Sequence, residues 1–167
     1  MSRTLSASTL AALLCCALTA QAAEQALVSE RKVLSSHAAR RLVDACMAFG
    51  ATVPLAIAVV DPAGNLLSFH AMEGSTETAI LTAQLKAKTA ARWRRPTEQL
   101  FDRVNNNVNR APEWVGDFPQ PGGFPIFVGG ELLGAVGAGG GAGTQDDACA
   151  KHAIQTVFGA AALAARP

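Results

Sequence analysis

The sequence predicts a single α+β domain: an antiparallel sheet of four to five strands flanked by helices. Three observations carry this. Two stretches, residues 53–70 and 124–136, read as apolar strands that double back through turns needing positive φ. Stretches of helical period alternate with them, in the order helix, hairpin, helix, loop, hairpin, helix. The chain has 167 residues, 50% hydrophobic, which suffices for one core and not for two.

Residues 1–22 stand apart from the fold. Arg3 supplies a short positive region, residues 10–20 are apolar but too short to span a bilayer, and Ala20-Gln21-Ala22 has the small-x-small form of a signal-peptidase site. Cleavage after Ala22 would leave an exported, periplasmic or secreted protein. Removing Arg3 from 14 Lys+Arg against 13 Asp+Glu leaves 13 of each sign. That balance argues against a basic nucleic-acid-binding face, and seven Phe, two Trp and no Tyr make a poor base-stacking platform. No membrane span is expected after cleavage. The mature chain keeps two cysteines, Cys46 and Cys149, both on predicted helices. Two readings stand: a bridge in an oxidising compartment, or two small buried hydrophobes.

Residues 23–34 form an N-terminal segment, and the domain proper covers 35–167. The first helix begins at Ser35 or Ser36, either able to cap it, and runs to Phe49, with Ala39, Leu42, Val43, Cys46, Met47 and Phe49 on its apolar face. Residues 53–60 are apolar on both faces, as in a central strand covered on both sides. Asp61-Pro62-Ala63-Gly64 is turn chemistry, and residues 65–70 return. A helix follows over residues 76–93, alanine-rich enough to approach its neighbour closely and basic towards its end, where Lys86, Lys88, Arg92, Arg94 and Arg95 suit a helix C-terminus or a solvated face. Pro96 ends it, and a short helix capped by Thr97 runs to Val104. Residues 105–120 are irregular, with Trp114 and Phe118 as bulky anchors. Residues 124–128 and 131–136 pair through Gly129-Gly130, and a last helix runs from Thr144 to about Ala164, with Thr144 and Asp147 spaced as a capping-box variant.

Residues 119–147 hold 10 of the 15 glycines. The bare run 137–143 reads as a loop whose backbone is shaped for a ligand or for another chain. It sits between strand and helix, as a dinucleotide fingerprint would. But no further helix–strand unit follows, Asp146 and Asp147 occupy the turn where a phosphate would lie, and no P-loop lysine is present. Nor is there a G-x-S-x-G, H-E-x-x-H or C-x-x-C motif. The three histidines, His37, His70 and His152, are far apart in sequence. His70 and His37 are candidate metal or iron ligands, since a lone histidine can hold haem iron axially.

Four ordered blocks, AIAVVDPAGNLLSFHAMEGS, AQLKAKTAARW, PGGFPIFVGGELLGAVGAGGG and QDDACAKHAI, resemble the GlcG/HbpS-like family of haem-binding proteins over residues 34–164. The resemblance implies a small α+β fold, haem as the cofactor, and assembly into a homo-oligomer. It places Lys86, Thr89 and Ala90 on the family's most characteristic helix, with Thr89 matching a threonine associated with haem contact. Residues 121–126 and Asp146 match as well. Where the family often has Arg before Met, this chain has Ala71-Met72, with His70 beside it.

The expected function is binding of haem or a similar planar small molecule. The expected site is Lys86, Thr89, Gly122, Gly123, Phe124, Gly139 and Gly140, with Lys86, Lys88 or Arg92 meeting propionates. The alternative is an enzyme acting on a small organic acid or oxidised metabolite, with Lys86, Asp146 and His70 as its acid–base groups.

Overall fold

The computed structural model describes residues 30–163, of which residues 32–163 belong to one compact unit. The expected leader, residues 1–22, and most of the segment 23–34 lie outside the described residues. The elements are α1 (Ser36–Met47), β1 (Ala56–Val60), β2 (Leu66–Ala71), α2 (Glu77–Trp93), α3 (Thr97–Asn105), α4 (Ala111–Trp114), β3 (Gly123–Val128), β4 (Glu131–Gly139) and α5 (Gly143–Phe158), closed by a 3₁₀ turn, Ala160–Leu163. The sheet is antiparallel throughout, in the order β2-β1-β4-β3. β1 is fully buried, as an apolar strand covered on both faces must be.

Ser35 caps α1, its Oγ accepting from the Ala38 N–H at 3.1 Å, and Thr76 caps α2 in the same way through Ala79 at 3.1 Å. Gly129 and Gly130 both take positive φ, as the two-residue hairpin requires.

The two faces of the sheet carry different cores. On one, Ile57, Val59, Ile126, Val136 and Ala138 pack against α1 and α5, through Leu42, Cys46, Cys149 and Ile154. Cys46 and Cys149 are joined by a disulfide, their Cα atoms 5.0 Å apart, so the bridge reading holds. On the other face Ala56, Ala58, Val60 and Ala135 meet a stripe of α2 made of Ala79, Ala83, Ala87, Ala90 and Ala91.

Three expectations are corrected. Gly137, Ala138 and Gly139 are not loop but the end of β4, paired with Ala58, Ile57 and Ala56. They are bare because α2 lies on them: a Cβ at Gly137 would collide with the Ala83 carbonyl and stand 2.5 Å from the Ala87 nitrogen. The bare backbone faces the chain's own helix. α5 starts at Gly143 with Ala142 at the cap position and no side-chain cap; Thr144 is exposed, and Asp146 instead reaches back to accept from the Gly141 N–H at 3.0 Å. Its α-helix ends at Phe158, where Gly159 takes positive φ. Thr97 is the first residue of α3 rather than its cap. Its buried hydroxyl accepts from the Gly123 N–H at 2.9 Å, tying the start of β3 to α3.

Candidate ligand-binding site

A cleft of about 370 Å³ opens where the N-termini of α2 and α5 converge beyond the end of the sheet. From α2 come Thr78, Ala79, Thr82 and Lys86, with Thr76 at the cap. Phe118, Gln120 and Pro121 supply a second wall, and Gly140, Gly141, Gly143 and Asp146 a third.

At the cleft Lys86 Nζ meets Asp146 Oδ2 at 2.6 Å, with side-chain exposures of 5% and 2%. The solvated-face reading of Lys86 is thereby corrected, whereas Lys88 and Arg92 are exposed as expected. A charge so buried is tolerated only when paired, and each partner has the other. Asp146 is also held by the Gly141 N–H through its second oxygen. The two side chains come from helices on opposite faces of the sheet and meet beside Gly122. A Cβ there would stand 2.7 Å from Asp146 Cβ and 3.0 Å from Lys86 Nζ, and φ at Gly122 is +120°, so glycine is required on both counts.

Asp147, one residue on, serves a different neighbourhood. It is 5% exposed, pairs with Lys151 Nζ at 3.5 Å, and leaves Oδ1 without a hydrogen-bond partner. Burial pushes its pKa up to about 6; Lys151 and the Gly122 N–H pull against that, and Glu98 adds to it.

The expected site residues divide. Lys86, Asp146 and Gly140 line the cleft, and Gly122 abuts the ion pair. Thr89 is fully buried behind the cleft wall, its Oγ1 accepting from the Phe118 N–H at 2.9 Å. Gly123 lies under the Lys86 backbone and Gly139 under Ala79 and Thr82. Phe124 is 4% exposed in the large-residue core, with the Lys151 ammonium 5.0 Å from its ring centroid. His37 is exposed on α1. His70 is exposed on β2, cross-strand from Ile57 and so on the α1 side of the sheet. Neither histidine joins the cleft, nor does His152.

Sequence reasoning missed Thr76, Thr78, Thr82, Gln120, Gly141 and the contribution of Phe118. Part of this was findable. Thr82, Lys86, Thr89 and Trp93 recur at spacings of four, three and four, a polar stripe beside the alanine face of one helix.

The haem degrading protein HbpS-like family model matches residues 34–155. Protein GlcG of Escherichia coli (strain K12) is 37% identical over 83 residues, which cover 50% of this chain and 62% of GlcG, less than two thirds of that relative's length. Among solved structures, a PduOC:heme complex superposes with a TM-score of 0.71 at 25% identity, covering 75% of this chain and 96% of that one. A crystal structure of HbpS gives 0.68 at 27% identity, covering 79% and 94%.

Proposed function

The chain belongs to the haem degrading protein HbpS-like family, and on that premise we propose that it binds haem, or a similarly flat conjugated molecule, in the cleft between α2 and α5. The observation that carries this is the cleft's division of labour. Phe118, Ala79 and Pro121 give an apolar surface for a ring face, while Lys86, Gln120 and the threonine hydroxyls of α2 stand ready for carboxylates. The residues fit the porphyrin plane and its propionates better than its iron. Among the described residues no histidine, cysteine or methionine lines the cleft, and the Lys86 ammonium, paired with Asp146, offers further N–H donors but no lone pair for iron. When bound, haem would supply its iron chemistry; the protein would supply the apolar wall, the cation and the hydrogen-bond donors. At about 370 Å³ the cleft is small for a whole porphyrin, so part of the ring would stay outside the walls of one chain. A second copy covering that part is the role we assign to homo-oligomerisation.

The test is titration of the mature protein with hemin, wild type against Thr78→Trp, which places a bulky ring in the cleft from an exposed position outside the core. A Soret shift in the wild type that Thr78→Trp loses supports the reading. No shift in the wild type, or equal shifts in both, overturns it.

We further propose export. The disulfide supports it, since such bridges persist in oxidising compartments, and an N-terminus at Ala23 in protein recovered from the periplasm or medium would bear it out.

A second reading rests on the Lys86–Asp146 pair itself. A buried acid–base pair opening onto a polar cleft is also the equipment of an enzyme acting on a small organic acid. Turnover of such acids that survives Lys86→Met and Asp146→Asn would remove that reading.

A further inference from the structure

Between α4 and β3 the chain crosses α2 without regular structure, yet two buried polar side chains hold it closely. Thr89 is fully buried and its hydroxyl accepts the Phe118 N–H at 2.9 Å. The Asp117 carboxylate is 3% exposed, accepting from Arg92 Nη1 at 2.9 Å through one oxygen and from Trp93 Nε1 at 2.5 Å through the other. Arg92 Nη1 also donates to the Val115 carbonyl at 3.3 Å. Thr89, Arg92 and Trp93 stand at i, i+3 and i+4 on α2, so one helix face supplies every donor and acceptor. Just past this latch, Phe118, Gln120 and Pro121 turn into the cleft, facing Ala79 and Thr82.

We propose that Thr89 and Asp117 are positioning residues: they fix Phe118 as the ring-stacking wall of the cleft, and neither touches the ligand. This rests on the cleft being the binding site. It separates the wall that selects for a flat ring from Lys86, which selects for a carboxylate. The physical argument is preorganisation. Ordering residues 115–118 costs backbone entropy, and four hydrogen bonds made before the ligand arrives remove that cost from binding. It also gives Thr89 an indirect role, since its hydroxyl is spent on the Phe118 backbone.

Hemin titration and amide hydrogen exchange on the full mature chain test this with Thr89→Val, Thr89→Ser and Asp117→Asn. Thr89→Val and Asp117→Asn should each weaken hemin binding about fivefold to tenfold, the worth of one buried hydrogen bond. Thr89→Ser should restore it, exchange at the Phe118 amide should rise in Thr89→Val, and the Soret maximum of the bound form should not move. A shifted maximum in Thr89→Val would mean direct contact with haem and overturn the proposal. So would wild-type affinity in both variants. Hemin that fails to bind the wild type brings down the haem reading; hemin that binds wild type and variants alike brings down the latch alone.

Discussion

The two faces of this sheet solve the packing problem in opposite ways. Towards α1 and α5 the layers are held apart by large side chains, Ile57, Ile126, Val136, Leu42 and Ile154, and locked by the Cys46–Cys149 disulfide. Towards α2 the buried side chains are small, alanines against alanine and glycine with Val60 the largest among them. The first arrangement buries much apolar area per residue, the main source of stability. The second buries less but brings a helix backbone onto a strand. That close approach puts the Lys86 backbone over Gly123 and its ammonium beside Gly122, where Asp146 can meet it. The stiff face carries stability; the thin face carries the site.

The largest effect should come from thickening the thin face. Gly137→Ala adds one carbon where the neighbours are the Ala83 carbonyl and the Ala87 backbone, neither of which can rotate away. A loss of at least about 3 kcal/mol, or failure to fold, is expected. Ile57→Val removes one carbon from the other face and should cost about 1 kcal/mol. Chemical denaturation of the two variants measures the contrast; equal losses would show that α2 is free to move off β4.

Next comes the charge pair that the thin face makes possible. Lys86→Met leaves the Asp146 carboxylate buried and uncompensated, with an expected cost of about 3–5 kcal/mol. The double variant Lys86→Met/Asp146→Leu should recover most of that stability while still losing carboxylate recognition. A single variant as stable as wild type would mean that water already reaches the pair. On the thick face, reducing the disulfide frees a 103-residue separation and should cost about 2–4 kcal/mol, read as a lower Tm in dithiothreitol.

What could be read from the sequence follows the same division. The thick face announced itself, because large apolar residues at helical or strand period mark α1, β1 and β3 without ambiguity. The thin face did not. Gly137 and Gly139 carry no side chain, so the end of β4 gave no periodic signal and resembled a loop; the reason they are bare lies in α2, some fifty residues earlier. Lys86 looked solvated because lysines usually are, and only the fold brings Asp146 to it across sixty residues. Family resemblance found both residues of the pair, but not Phe118 as a wall, since nothing local in residues 105–120 shows which way that loop turns.

A smaller effect than that of the ion pair or the disulfide should come from Asp147, beside the pair but facing away from it. Burial raises its carboxyl to about 6, against 3.8 for a free side chain. An acid whose pKa is higher in the folded state binds its proton more tightly when folded. Its contribution to stability is therefore greatest below about pH 4, declines as pH rises towards 6, and becomes a constant cost above that. Two pKa units correspond to at most about 3 kcal/mol, a figure that already includes the opposing pull of the Lys151 ammonium. Asp147→Asn removes the charge while keeping the shape. It should raise stability by about 1–2 kcal/mol at pH 8, with the gain shrinking between pH 6 and pH 4 as the wild-type carboxyl takes up its proton. Melting curves across that range decide it: a difference independent of pH would mean that the Asp147 carboxyl titrates as though exposed, and that α5 gives its buried charge access to water.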